Sequence, residues 1–143
     1  MKKLMMLMLG MAALALLSSP PLAQAQLADA ISLTNQGVVE LTDWPAVGLR
    51  YQVDINKIAG ADIRQGKKAA GLFQEALAKA KAGNAGKMAI FKLEEAVDRA
   101  PEGQHKDSRL MAQGALYYLC KDAGGQPSDV CEKVPKFGSY TSP

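Results

Sequence analysis

Two alanine-rich segments separated by only Gly83 and Asn84 constrain the fold of this 143-residue chain more than any other feature. Residues 62–82 follow a predicted N-cap at Asp62, and residues 85–100 end at Pro101, which cannot continue a helix. Both segments carry apolar residues at helical spacing: Ile63, Ala70, Phe73, Leu77 and Ala80 in the first, and Ile90, Leu93, Val97 and Ala100 in the second. Because the link is so short, we expect two helices packed antiparallel, with alanines allowing a close approach.

The sequence after Pro101 predicts a third helix and a short final turn. The helix is expected from Ser108 to Cys120, and the pair Gly124-Gly125 ends it. Residues 128–134 form the turn, and residues 135–143 are a tail with little to bury, which we expect to be flexible.

Cys120 and Cys131 are the only cysteines in the chain. A redox pair usually has the Cys-x-x-Cys spacing, and a zinc site would need further ligands, for which His105 is the only histidine. In an oxidising compartment, an even and closely spaced pair indicates a disulfide. The sequence therefore predicts a Cys120–Cys131 bond that holds the final turn against the third helix.

The first 25 residues have the pattern of a secretory signal peptide. Lys2 and Lys3 precede an uncharged apolar run over residues 4–17, and a short polar stretch ends in Ala23-Gln24-Ala25. The apolar run is too short to span roughly 30 Å of hydrocarbon. We therefore expect cleavage near Ala25, no stable membrane anchor afterwards, and a protein located in the periplasm or secreted.

Residues 42–58 fit two local structures. Val47, Leu49, Tyr51, Val53 and Ile55 alternate with more polar residues, as in a half-buried strand. Trp44, Val47, Tyr51, Ile55 and Ile58 also share a narrow arc at 100° per residue, behind a Thr42-Asp43 cap. Helix is the preferred interpretation. The alternative is an α+β fold with an N-terminal β-hairpin at about 28–56, in which residues 31–41 supply the partner strand.

The predicted organisation is an all-α protein of antiparallel helical hairpins after a cleaved signal peptide. Residues 1–25 are the signal peptide, residues 26–41 are an N-terminal segment that can be flexible, and residues 42–134 are the helical domain. Removing the signal peptide leaves 15 basic against 14 acidic residues, so the net charge falls from +3 to +1. So small a charge gives no support for nucleic-acid binding.

A family resemblance accompanies this pattern. Trp44, Val47, Gly48 and Tyr51 have the spacing of the first-helix signature of a tetratricopeptide repeat, and residues 70–103 give the best match to a whole repeat. The chain therefore resembles a degenerate tetratricopeptide-repeat protein, with a small helical bundle as the other all-α architecture. The resemblance implies that the chain binds a protein or peptide on a concave helical surface.

Candidate functional residues fall into two groups. The aromatic residues Trp44, Tyr51, Phe73 and Tyr117 are candidate packing or binding anchors. Arg64, Lys67 and Lys68, together with Lys79 and Lys81, form a basic helix face that could meet an anionic partner or simply be solvated.

No catalytic, cofactor or metal site is predicted. His105 has no nucleophile near it in the sequence, and residues 54–65 lack the ligand pattern of a calcium loop. The sequence thus favours an exported, non-enzymatic helical protein that binds a protein or peptide partner in the cell envelope. Two alternatives are a small secreted enzyme or enzyme inhibitor, and a periplasmic stress or chaperone-like protein. The oligomeric state is left open.

Overall fold

The computed structural model describes residues 21–42 and 55–134. Within these two ranges the chain forms five α-helices and no strand: α1 (Pro21–Thr42), α2 (Ile55–Ala82), α3 (Lys87–Arg99), α4 (His105–Asp122) and α5 (Ser128–Cys131). A single 3₁₀ turn, Ala100–Glu102, follows α3. The predicted all-α class is confirmed.

The helices α1 to α4 form an antiparallel ring. Two ion pairs show that α1 and α2 run in opposite directions, because Lys79 lies 3.4 Å from Asp29 while Lys68 lies 2.9 Å from Glu40. The turn at residues 83–86 reverses the chain into α3, and the 3₁₀ turn reverses it again into α4. Helix α4 then packs along α1 as well as along α3, which closes the ring.

This arrangement corresponds to a small helical bundle. In a solenoid of helical repeats, each repeat contacts only its neighbours in a row, so the first and last helices stay apart. Here α4 returns to α1. The structure shows no clear tetratricopeptide likeness, and that resemblance stays a prediction.

The core is built from small side chains around a few large ones. The buried positions of α2 and α3 are mostly alanine: Ala69, Ala76 and Ala80 on α2, and Ala89, Ala96 and Ala100 on α3 and the following turn. The largest fully buried side chains among the described residues include Phe73, Ile31, Leu93 and Leu119. Ser108, also fully buried, donates a 2.7 Å hydrogen bond from its hydroxyl to the Ala96 carbonyl and so joins α4 to α3.

The ring of Phe73 lies directly on the backbone of α1 at Gly37. A Cβ atom added at Gly37 would lie 2.3 Å from Cε1 of Phe73, far inside van der Waals contact. Because the ring is completely buried, it has no free space into which to move. Gly37 therefore sets the short distance between α1 and α2.

Asn84 forms the stop of α2, although glycine, the type of residue just before it, more often ends a helix. Asn84, with φ of 56°, adopts the left-handed conformation that ends the helix, and the N–H of Ala85 donates to the carbonyl of Ala80. Gly83 has a packing role instead, since a Cβ there would lie 2.9 Å from Cγ of Leu27. The α2–α3 turn can therefore pack against the first turns of α1.

The start of α2 also differs from the predicted Asp62, because the helix begins at Ile55. The local N-cap pattern at Asp62 did not act as a boundary. The segment 42–58, whose sequence fits both helix and strand, is helical at Thr42 and over 55–58. Residues 43–54 lie outside the described residues. The same holds for the signal segment up to residue 20 and for the predicted flexible tail, 135–143.

The alternative β-hairpin at 28–56 is wrong for residues 28–42, which belong to α1. The segment 26–41, separated from the helical domain in the sequence analysis, contributes Leu27, Ala30, Ile31, Val38 and Leu41 to the core. These residues recur at helical spacing and therefore lie on one side of α1. Thr34, a β-branched residue in their midst, donates its hydroxyl to the Ala30 carbonyl at 2.7 Å, a bond compatible with helix.

The predicted cleavage point after Ala25 falls one turn inside α1. A chain that began at Gln26 would keep all of the α1 core residues, from Leu27 to Leu41. Within the two described ranges, no helix has both the length and the apolar character needed to cross a bilayer.

The contact between Gly37 and Phe73 gives a direct test of the fold. We expect Gly37→Ala to lower the free energy of unfolding by about 1–2 kcal/mol, because the overpacking outweighs the gain in helix propensity. The matched control is Gly71→Ala on α2, where an added Cβ meets nothing within 4 Å. This control should raise the free energy of unfolding by about 0.5–1 kcal/mol. Urea denaturation measures both, and equal effects of the two substitutions would contradict the packing argument.

Candidate binding cleft

The chain reverses sharply after α4 and forms one side of a cleft. Gly124 and Gly125 follow the helix with φ of 67° and 85°, a conformation that glycine adopts without steric strain. Their N–H groups donate to the carbonyls of Lys121 and Cys120, so the reversal is closed by backbone hydrogen bonds. The short helix α5 then lies beside the end of α4.

The predicted disulfide joins the two sides of this reversal. The Sγ atoms of Cys120 and Cys131 lie 2.11 Å apart, and the Cα atoms are separated by 5.6 Å. Helix α5 contacts both α1 and α4, and Val130 and Val134 lie over the seam between Val38 and Leu116. The bond therefore holds α5 where it covers the contact that closes the helical ring.

The cleft has a volume of about 530 Å³ and is shallow and widely open to solvent. Its lining is mainly apolar and consists of Tyr117, Cys120, Lys121, Gly124, Gly125, Cys131, Glu132 and Val134. The exposed residues Lys121 and Glu132 put one charge of each sign at the cleft. Such a site can accept an apolar side chain while polar groups beside it meet charged or backbone atoms.

The ring of Tyr117 is held in place by its neighbour. It meets the ring of Tyr118 edge to face, with the ring centroids 5.2 Å apart and the planes at 84°. Tyr118 packs against the core, and Tyr117 is half-buried in the cleft wall. A tyrosine that is already positioned loses little conformational freedom when a partner binds.

The other aromatic candidates do not join Tyr117. Phe73 is completely buried between the helices, so it is a packing residue and does not form a contact surface. Trp44 and Tyr51 lie outside the described residues.

The basic helix face is largely matched by acids on neighbouring helices. Lys68 pairs with Glu40, Lys79 with Asp29, and Lys81 with Glu94 at 3.2 Å. Arg64 and Lys67 are exposed and have no ion pair within the described residues. Arg64 and Lys67 are therefore the two members of the predicted basic face without an ion pair in the part of the chain that the structure describes, and they lie on a different helix from those that form the cleft.

His105 lies at the start of α4, where its Nε2 is close to Gly66 and Ala100 and not at the cleft. In the part of the chain that the structure describes, no group of three or more His, Cys, Asp or Glu side chains could hold a metal ion. The Arg99 guanidinium donates to the Glu95 carboxylate at 2.6 and 3.1 Å, and this hydrogen bonding raises the pKa of Arg99.

Sequence reasoning found Tyr117 and the cysteine pair but not the cleft that they share. The spacing contains a signal, because Tyr117 precedes Cys120 by one helical turn and therefore lies on the same side of α4. The pair Gly124-Gly125 by itself predicts only the end of a helix. Its second role, as part of the cleft wall, depends on where the disulfide places α5.

Comparison with protein-family models, with curated proteins and with solved structures gave no match for this chain.

The disulfide should stabilise the bundle through the short loop that it closes. We expect the double substitution Cys120→Ser, Cys131→Ser to lower the free energy of unfolding by about 3 kcal/mol, as the chain-entropy model gives for a loop of this length. Urea denaturation with and without a thiol reductant measures the effect. The reductant should destabilise the wild type and leave the double variant unchanged, and a wild type that is indifferent to reductant would contradict the expectation.

The ion pairs predict that neighbouring lysines on α2 differ in their contribution to stability. Lys68→Glu should lower the free energy of unfolding by up to about 1 kcal/mol at low salt, because it places a second carboxylate beside Glu40. The control Lys67→Glu should have almost no effect. Thermal unfolding at low and at high salt checks this, since screening should remove the difference between the variants. Equal effects at low salt would argue against the Lys68–Glu40 pair.

Proposed function

We propose that this chain is an exported, non-enzymatic helical protein that binds a protein or peptide partner in the cell envelope. The observation that supports this proposal best is the mainly apolar cleft beside Tyr117, between α4 and α5. In the proposed complex, the cleft receives an apolar side chain of the partner.

The size and composition of the cleft favour this function. A volume of about 530 Å³ lies within the usual range of ligand sites, roughly 300–1,000 Å³. Tyrosine is among the residues that contribute most to binding energy at protein interfaces. Lys121 and Glu132 can select the orientation of a peptide, because each favours the opposite charge beside it.

Two features support an extracytoplasmic location. The first is the signal-peptide pattern of residues 1–25. The second is the Cys120–Cys131 bond, which is compatible with an oxidising compartment. Export would therefore provide the conditions in which the cleft is formed.

Binding is better supported than catalysis at this site. The titratable groups among the described residues of the cleft wall are Tyr117, Lys121 and Glu132. These residues do not form the pairing of a nucleophile with a base that covalent catalysis needs.

The partner should be lost when the cleft loses its aromatic wall. We expect Tyr117→Ala to reduce recovery of the partner from an envelope extract about tenfold, which corresponds to about 1.4 kcal/mol of binding free energy. The matched control is Ile63→Ala, an exposed large apolar residue on α2 that lies outside the cleft. Quantitative mass spectrometry of the captured proteins measures recovery, and circular dichroism verifies that both variants are folded.

Three outcomes of that experiment would overturn the proposal. One is equal recovery by wild type and Tyr117→Ala, and another is loss of the partner in Ile63→Ala alone. The third is no specific partner for the wild type. If the wild type instead suppresses aggregation of a reduced client protein, the chaperone-like alternative replaces the dedicated binding protein.

A further inference from the structure

The outer face of α3 exposes two large apolar side chains next to each other. The inner face of the helix is buried through Ala89, Leu93 and Ala96. On the opposite side, Phe91 is 51% exposed and Met88 is 46% exposed. Because they are three residues apart, the two side chains lie on adjacent turns and form one patch.

The charges along α3 are unevenly distributed, although Arg99 lies in the same half of the helix as the acidic residues. Lys87 lies at the N-terminal end of α3, and the acidic residues Glu94, Glu95 and Asp98 lie in its C-terminal half. Phe91 stands between them. Glu94 already pairs with Lys81 and Glu95 with Arg99, whereas Asp98 has no ion pair within the described residues.

This order makes the face complementary to itself. If a second α3 lies antiparallel with Phe91 against Phe91, Lys87 of each copy lies level with Glu95 of the other and within one helical turn of its Asp98. The helix is about 20 Å long, from 13 residues at 1.5 Å each, so one such contact holds both apolar side chains and both sets of charges. A two-fold axis through the middle of the face relates the two copies.

We propose that the outer face of α3 binds a second copy of this chain, forming a two-fold symmetric dimer around Phe91 and Met88. The self-complementary order of charges selects this occupant over an unrelated protein. An exposed apolar patch is what such a contact requires at its centre, and the surrounding charges determine its direction. The proposed dimer does not depend on the cleft, whose lining residues come from α4, α5 and the segments beside them.

Sedimentation velocity over a wide range of protein concentration tests the proposal, using the exported chain in the form that the host releases. The wild type should approach twice the monomer mass as the concentration rises. Phe91→Asp should raise the dissociation constant at least tenfold, and Tyr117→Ala should leave it unchanged. Circular dichroism should show the same helix content in all three proteins, since Phe91 contributes nothing to the buried core.

The charges provide a second, independent readout. Lys87→Glu should weaken the dimer, and adding Asp98→Lys to that variant should restore it, because the two positions then carry exchanged charges that again attract each other. High salt should weaken the wild-type dimer through screening. A rescue by the double variant cannot be explained by a change in the stability of the monomer alone.

Several results would overturn the proposal. A wild type that stays monomeric at the highest concentration excludes the second copy as the occupant. A Phe91→Asp variant that dimerises as tightly as the wild type places any dimer contact elsewhere. If the wild type is monomeric and Phe91→Asp loses an envelope partner, the face belongs to a different protein.

Discussion

The contact between Phe73 and Gly37 is the interaction on which the rest of the structure depends. The buried ring lies on the bare backbone of α1, so α1 and α2 pack closely at that level. Because α1 also contacts α4, its position against α2 determines whether the ring of helices closes. Helix α5 lies over that closing contact, and the disulfide to α4 keeps it there. The position of the cleft beside Tyr117 thus depends on how the helices pack at the centre of the bundle.

Small residues make this architecture possible in a chain with few large apolar side chains. The buried alanines of α2 and α3, together with Gly37 and Gly83, bring helix backbones close enough for Phe73, Ile31, Leu93 and Leu119 to fill the space between them. Charged residues add direction to this packing, since Lys68 and Lys79 meet acids on α1 only in the antiparallel arrangement. Such exposed pairs contribute little to stability. They also place an acid beside three of the lysines of the basic helix face, Lys68, Lys79 and Lys81.

The helices that could be predicted from the sequence are those with strong local signals. Alanine-rich periodicity identified most of α2 and all of α3. For α4, the helix of 18 residues that carries Cys120, the sequence predicted helix over residues 108–120. The start of α2 was misplaced, because a good capping residue at Asp62 is only a local preference and the helix continues through it. Helix α1 was missed because Ile31, Thr34, Val38 and Val39 are β-branched, which favours strands in isolation. In the bundle, burial of one side of α1 against both α2 and α4 outweighs that preference.

The sequence by itself determined that most of the chain from Asp62 to Cys120 is helical, that α2 pairs antiparallel with α3, and that Cys120 bonds to Cys131. Each of these depends on residues close together in the chain, where periodicity, loop length and cysteine spacing are sufficient. The tertiary structure alone decided that α1 is a helix, that α4 closes on it, and that Lys68 faces Glu40 and Tyr117 lines a cleft. These features depend on contacts between segments far apart in the sequence, such as Gly37 with Phe73. No local pattern encodes which distant surface a residue will meet, because that choice depends on how all the helices pack at once.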